Sequence, residues 1–150
     1  MSDQAADNAQ NTGSVEHVGR YVTRELIDNG RITVYHLLSI KREAVDEWIT
    51  SALETFKNWP SKEPFLVIYD FLESGGLTLT PYIRKRSQEL AVARPELMGR
   101  AAIVLPRTIG AQAAKMFVLI SLQKSRQRRV FFTMDEALAW IRKPDNELGV

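Results

Sequence analysis

Arg20-Tyr21-Val22-Thr23-Arg24-Glu25-Leu26-Ile27, then Asp28-Asn29-Gly30, then Arg31-Ile32-Thr33-Val34-Tyr35-His36-Leu37-Leu38 is the stretch that sets the fold. Two runs rich in β-branched and aromatic residues flank Asn-Gly, whose positive-φ preference suits a type I′ turn. The pattern predicts an antiparallel hairpin. In its second strand Ile32, Val34 and His36 share one face, and Thr33, Tyr35 and Leu37 the other.

Outward from the hairpin, the sequence alternates helical and strand signals. Val45, Trp48, Ile49, Ala52, Leu53 and Phe56 recur at spacings of three and four, predicting a helix over residues 42–59. Pro60 and Pro64 frame its exit. Phe65-Leu66-Val67-Ile68-Tyr69-Asp70 is a continuous apolar run ending in an acid, the pattern of a central strand covered on both faces. Thr80-Pro81 places a favoured N-cap before a favoured first helical residue and opens a second helix. Its Ile83, Leu90 and Leu97 should point inward, Arg84, Lys85 and Arg86 mostly outward, and Pro95 should end it near Arg94. A strand over residues 100–105 follows. A third helix is expected over residues 109–122, a strand over 129–132, and a last helix opened by the capping box Thr133-Met134-Asp135-Glu136. Its inner face should carry Met134, Ala137, Leu138 and Ile141.

The order ββαβαβαβα predicts a single α/β domain with a mixed, mostly parallel five-stranded sheet covered by four helices. Residues 1–15 read as a polar tail too poor in large apolar side chains to order itself, 16–143 as the domain, and 144–150 as a C-terminal tail. With no basic-then-apolar leader and no cysteine, a cytoplasmic location is expected.

The order, the strand ending Val67-Ile68-Tyr69-Asp70, and the closing run Arg129-Val130-Phe131-Phe132-Thr133-Met134-Asp135-Glu136-Ala137-Leu138-Ala139-Trp140-Ile141 resemble the STAS domain (sulfate transporter and anti-sigma factor antagonist), in its SpoIIAA-like branch. The likeness covers roughly residues 20–142. It implies a non-enzymatic interaction or regulatory module. In the anti-sigma antagonists, a partner kinase phosphorylates a Ser or Thr near the start of the second helix, which controls partner binding. Asp70 stands where the family's strand-end Asp falls. Where the family carries Asp-Ser-Ser-Gly or Asp-Thr-Ser-Gly, this chain has Glu73-Ser74-Gly75-Gly76-Leu77-Thr78-Leu79-Thr80, so Ser74, Thr78 and Thr80 are the candidate phosphoacceptors.

Other readings stand beside that one. Open α/β sheets bind small ligands at the carboxyl ends of their strands, which would make Asp70, Glu73, Gly75, Gly76, Thr108 and Gly110 a candidate nucleotide or lipid site. Thr80 as a plain N-cap and Ser74-Gly75-Gly76 as a plain turn are the simpler readings of those residues. The third helix carries a stripe of Ala113, Met116, Phe117 and Ile120 and a second, nearly opposite, of Ala111, Ala114, Val118 and Leu122. The second stripe, with Arg84 and Lys85, is a candidate partner surface, with a homodimer through that helix as one form of it.

Composition prunes the alternatives. The absence of cysteine removes thiol nucleophiles, zinc ribbons and iron–sulfur sites, and two histidines cannot build a multi-histidine centre; no metal and no cofactor are expected. His36 reads as a satisfied core or edge histidine rather than a base. The longest apolar run, residues 116–120, is too short to span a membrane. Lys124-Ser125-Arg126-Gln127-Arg128-Arg129 reads as a solvated basic loop; nucleic-acid binding through it is the weaker reading, because no aromatics are interleaved. The net charge of +2 divides unevenly, with −3 in residues 1–16 and +5 in the remainder.

Overall fold

The computed structural model describes residues 14–78, 80–107 and 126–144. Six strands and three helices lie in this part of the chain: β1 Ser14–His17, β2 Val22–Ile27, β3 Ile32–Leu37, α1 Arg42–Asn58, β4 Phe65–Asp70, α2 Pro81–Val92, β5 Gly99–Val104, β6 Arg126–Phe131 and α3 Met134–Ile141. The strands form one sheet in chain order, β1-β2-β3-β4-β5-β6. The β1–β2 and β2–β3 pairs are antiparallel; β3–β4, β4–β5 and β5–β6 are parallel. The α/β class and the mixed, mostly parallel sheet agree with the sequence reading.

The strand count does not. The sheet has six strands rather than five, because Ser14–His17 pairs with β2 at the edge. All four of its residues are exposed, and Val15 retains 61% of its surface. Backbone hydrogen bonds and the Glu16–Arg24 ion pair (2.8 Å) hold it, with no apolar burial that a hydropathy pattern would reveal. The helix expected over residues 109–122 lies outside the described residues, and with it Thr108, Gly110, Ala111, Ala114, Val118, Leu122 and the homodimer reading built on them.

The hairpin forms as expected, with a longer loop. Ile27 pairs with Ile32, leaving four residues between them, and Asp28 joins Asn29 and Gly30 at positive φ (52°, 58° and 79°). Asp28 is fixed there by two hydrogen bonds from Arg142 (2.9 and 3.0 Å). Strand β4 is buried along its whole length, as its unbroken apolar run requires.

Two cores flank the sheet. Side chains of alternate parity separate cleanly: Tyr35, Leu37, Phe65, Val67, Tyr69, Ala101 and Ile103 face α1 and α2, whereas Ile32, Val34, Leu66, Ile68, Ala102 and Val104 face α3. Placing α1 and α2 on one face is what crossovers of one hand give when parallel strands are added in one direction. Helix α1 contributes Val45, Trp48, Ile49, Ala52 and Phe56, all at or below 3% exposure, and each large side chain so buried contributes about 1.5–3 kcal/mol. On the other face Trp140, which the expected inner stripe of the last helix omitted, is 5% exposed and packs on Phe131. Thr133 caps α3 by accepting from the Glu136 amide, and the reciprocal bond joins the Glu136 carboxylate to the Thr133 hydroxyl rather than to its backbone N–H.

Strand β6 corrects the solvated-loop reading for residues 126–129; Lys124 and Ser125 lie outside the described residues. Arg126, Gln127, Arg128 and Arg129 are strand residues, and their side chains alternate across the sheet. Arg126 is 3% exposed. Its guanidinium donates to the carbonyl oxygens of Leu90, Ala93, Arg94 and Leu97, closing the end of α2, and stacks 4.6 Å from the Phe56 ring centroid. Of the three described arginines here, only Arg129 stands exposed. No helix among the described residues is long and apolar enough to cross a membrane.

Candidate functional site

The carboxyl ends of β3 and β4 meet at a cluster of three ionisable side chains. Parallel pairing sets His36 beside Asp70, and the antiparallel partner β2 brings Glu25 onto the same face, one diagonal step away. His36 Nδ1 lies 2.8 Å from Asp70 Oδ2 and Nε2 lies 3.0 Å from Glu25 Oε2. The second Asp70 oxygen accepts the Leu72 amide (2.9 Å), which fixes the carboxylate. Asp70 is 7% exposed as a residue, and the imidazole is about a third exposed.

The hydrogen bond to Asp70 raises the His36 pKa to about 8, reinforced by Glu25 and opposed by partial burial. At neutral pH the ring is an imidazolium that donates from both nitrogens to carboxylates. A ring so engaged has no lone pair with which to take a proton from a substrate. The donors also point at opposite sides of the ring instead of converging on one point, and among the described residues no group of three or more acidic or histidine side chains can hold a metal ion. What the cluster does is pin three strands together and link their pairing to proton concentration.

Beyond Asp70, the loop to α2 carries the other candidate residues. The amide of Gly75 donates to the Leu72 carbonyl (3.3 Å) and that of Gly76 to the Phe71 carbonyl (3.1 Å), with φ of 80° and 114° at the two glycines. This nested pair of bonds is the arrangement that closes a helical turn. The Ser74 hydroxyl lies 2.9 Å from the carbonyl oxygens of both Phe71 and Gly76. The loop's amides therefore turn inward onto its own carbonyls and away from any external phosphate. Glu73 and Thr78 are exposed, and Asp70 is engaged with His36 instead of facing Glu73.

Thr80 ends the loop. Its side chain accepts the Ile83 amide (3.1 Å), its backbone is extended, and Pro81 occupies the first helical position. The residue as a whole is exposed. The first turn of α2 contains no acid, and Arg84 and Lys85 both face solvent there. A helix N-terminus with two cations and no acid of its own in the first turn favours a negative charge. Tyr82 anchors this end to α1 through a hydrogen bond from its hydroxyl to Asp46, and Arg42 stacks on the Tyr82 ring at 4.1 Å.

Sequence reasoning had Asp70 and Thr80 but not the Glu25–His36–Asp70 cluster. The usable signal was parity: His36 alternates with Ile32 and Val34, Asp70 with Leu66 and Ile68, and both fall at the carboxyl end of a strand. A cleft of about 860 Å³ lies elsewhere, between the β1–β2 edge and α1, lined by acids including Glu16, Asp46, Glu47 and Glu54. The fold and the site define an α/β protein with a six-stranded mixed sheet and an exposed, capped helix start at its strand ends. No family model, no curated protein and no solved structure matches the chain.

Proposed function

We propose that the chain is a STAS-like, SpoIIAA-like regulatory module that acts by binding a protein partner, without chemistry of its own, and that phosphorylation of Thr80 by a partner kinase switches that binding. The observation that carries the reading is the exposed residue Thr80 at a helix start with no acid of its own, beside Arg84 and Lys85. A phosphate there adds about −1.5 to −2 charge where the helix end and two cations attract it, and it changes the surface a partner meets. The shared sheet of residues 32–37 and 65–70, which this family likeness requires, supports it. So does the engagement of both His36 ring nitrogens by carboxylates, which leaves that ring no lone pair for a substrate proton. The inward-turned amides of Gly75 and Gly76 favour a protein partner over a nucleotide.

Affinity capture from cell extract of the source organism tests this, comparing the wild-type chain with Thr80→Glu and Thr80→Ser. The expected result is one specific partner that Thr80→Ser retains and Thr80→Glu loses or gains. Identical capture by all three would overturn the switch, and absence of any specific partner would overturn the module reading itself.

A further inference from the structure

A small cavity of about 20 Å³ lies between the sheet and helices α1 and α2. Trp48 and Ser87 line it, 1% and 3% exposed, and neither Trp48 Nε1 nor Ser87 Oγ has a hydrogen-bond partner among the described residues. An unmade bond at a buried donor costs about 1–3 kcal/mol, so two on one cavity call for an occupant that accepts from both. The volume suffices for one water-sized body.

Charge separates a water molecule from an ion. Arg126 and Arg128 also line the cavity, and none of its described lining residues is acidic. The four carbonyls bonded by Arg126 are neutral, and Glu96, the acid that acts on its charge, is exposed and outside the cavity. The half-buried guanidinium of Arg128 makes no hydrogen bond or ion pair to any other described residue. Burial pushes its pKa down, with only the Tyr69 hydroxyl acting against that. Water would satisfy the indole and the hydroxyl but not the two cations. An anion satisfies all of them.

We propose that this cavity is a binding site for one small monovalent anion, a chloride ion or a single carboxylate group, held by the Trp48 indole N–H, the Ser87 hydroxyl and the Arg128 guanidinium. The site is independent of Thr80 and of any partner. Aromatic rings of Phe56, Phe65 and Tyr69 complete its wall and exclude anything large or strongly hydrated.

Thermal unfolding of the purified chain at one ionic strength in sodium chloride, sodium acetate and sodium gluconate tests it, together with anomalous scattering from crystals grown in bromide. The expected result is a saturable rise in melting temperature in chloride over gluconate, with a bromide peak between Trp48 and Arg128. An equal rise in acetate shows that the site takes a carboxylate as well as a halide, and no rise in acetate assigns it to halides. Arg128→Gln should raise the half-saturating concentration by about tenfold or more, the loss of one charge-assisted bond. Trp48→Phe keeps the ring packing and removes only the donor, so it serves if Arg128→Gln does not fold. Coincident melting in all three salts with no bromide density would mean that water alone fills the cavity, and would overturn the proposal. Unaltered chloride dependence in both variants would overturn it equally.

Discussion

His36 joins three strands through two carboxylates, and its ionisation gives the fold a pH dependence whose sign is set. Its folded pKa of about 8 lies above the ordinary 6.5, so the protonated ring is favoured by folding. That stabilisation is complete below about pH 6.5 and disappears as pH rises through about 8. At a ring one-third exposed it contributes on the order of 1 kcal/mol after screening by solvent. Chemical denaturation between pH 6 and 9 should show this fall, and His36→Gln should flatten it; a pH-independent wild type would contradict the assignment. Arg126 is the other residue with a large expected effect. Arg126→Met removes the guanidinium that ties together the carbonyls of Leu90, Ala93, Arg94 and Leu97, and a loss of roughly 2–4 kcal/mol is expected in urea unfolding. Little of either role is legible in the sequence. Glu25 and Asp70 lie 11 and 34 residues from His36, and only strand register brings them together. Arg126 and Arg128 look like solvent-facing charges because composition cannot say where their hydrogen-bond acceptors are.

At the scale of elements, local chemistry was more informative. The β4 run and the α1 stripe specify their own partners, and α1 begins at Arg42 and ends at Asn58, within a residue of the expected range. Thr80 caps α2 as its type and the following Pro81 require. Thr80→Ala should cost about 1 kcal/mol in thermal or urea unfolding, with Thr80→Ser near wild type. Gly99 sets a stricter limit at the start of β5. A Cβ there would sit 2.0 Å from the Phe65 carbonyl oxygen, on the paired strand, so Gly99→Ala should destabilise by more than the ~1 kcal/mol of an ordinary glycine replacement. A melting temperature unchanged in Gly99→Ala would contradict the β4–β5 register. Two elements escaped the sequence for opposite reasons. Strand β1 buries nothing and leaves no hydropathy signal, and the amino-terminal half of β6 is arginine-rich, so its strand character depends on acceptors supplied by α2 and the turn after it.

The whole molecule follows from adding parallel strands in chain order to one side of an antiparallel hairpin. That arrangement aligns the carboxyl ends of β3, β4 and β5 at one edge, so the loop after Asp70 and the start of α2 emerge there together. Element order made this architecture readable in advance, but the number of strands was not, since an edge strand held by backbone bonds and one surface ion pair needs no apolar pattern. The proposed function rests on the same edge: Thr80 at a helix start with no acid of its own, two exposed cations beside it, and a neighbouring histidine locked between carboxylates. The most direct measurement is mass-spectrometric mapping of phosphate on the chain isolated from its native cells, with and without phosphatase treatment. The account predicts a phosphatase-sensitive phosphate on Thr80. A chain that carries none on Thr80 under conditions where its partner is bound and released would contradict it.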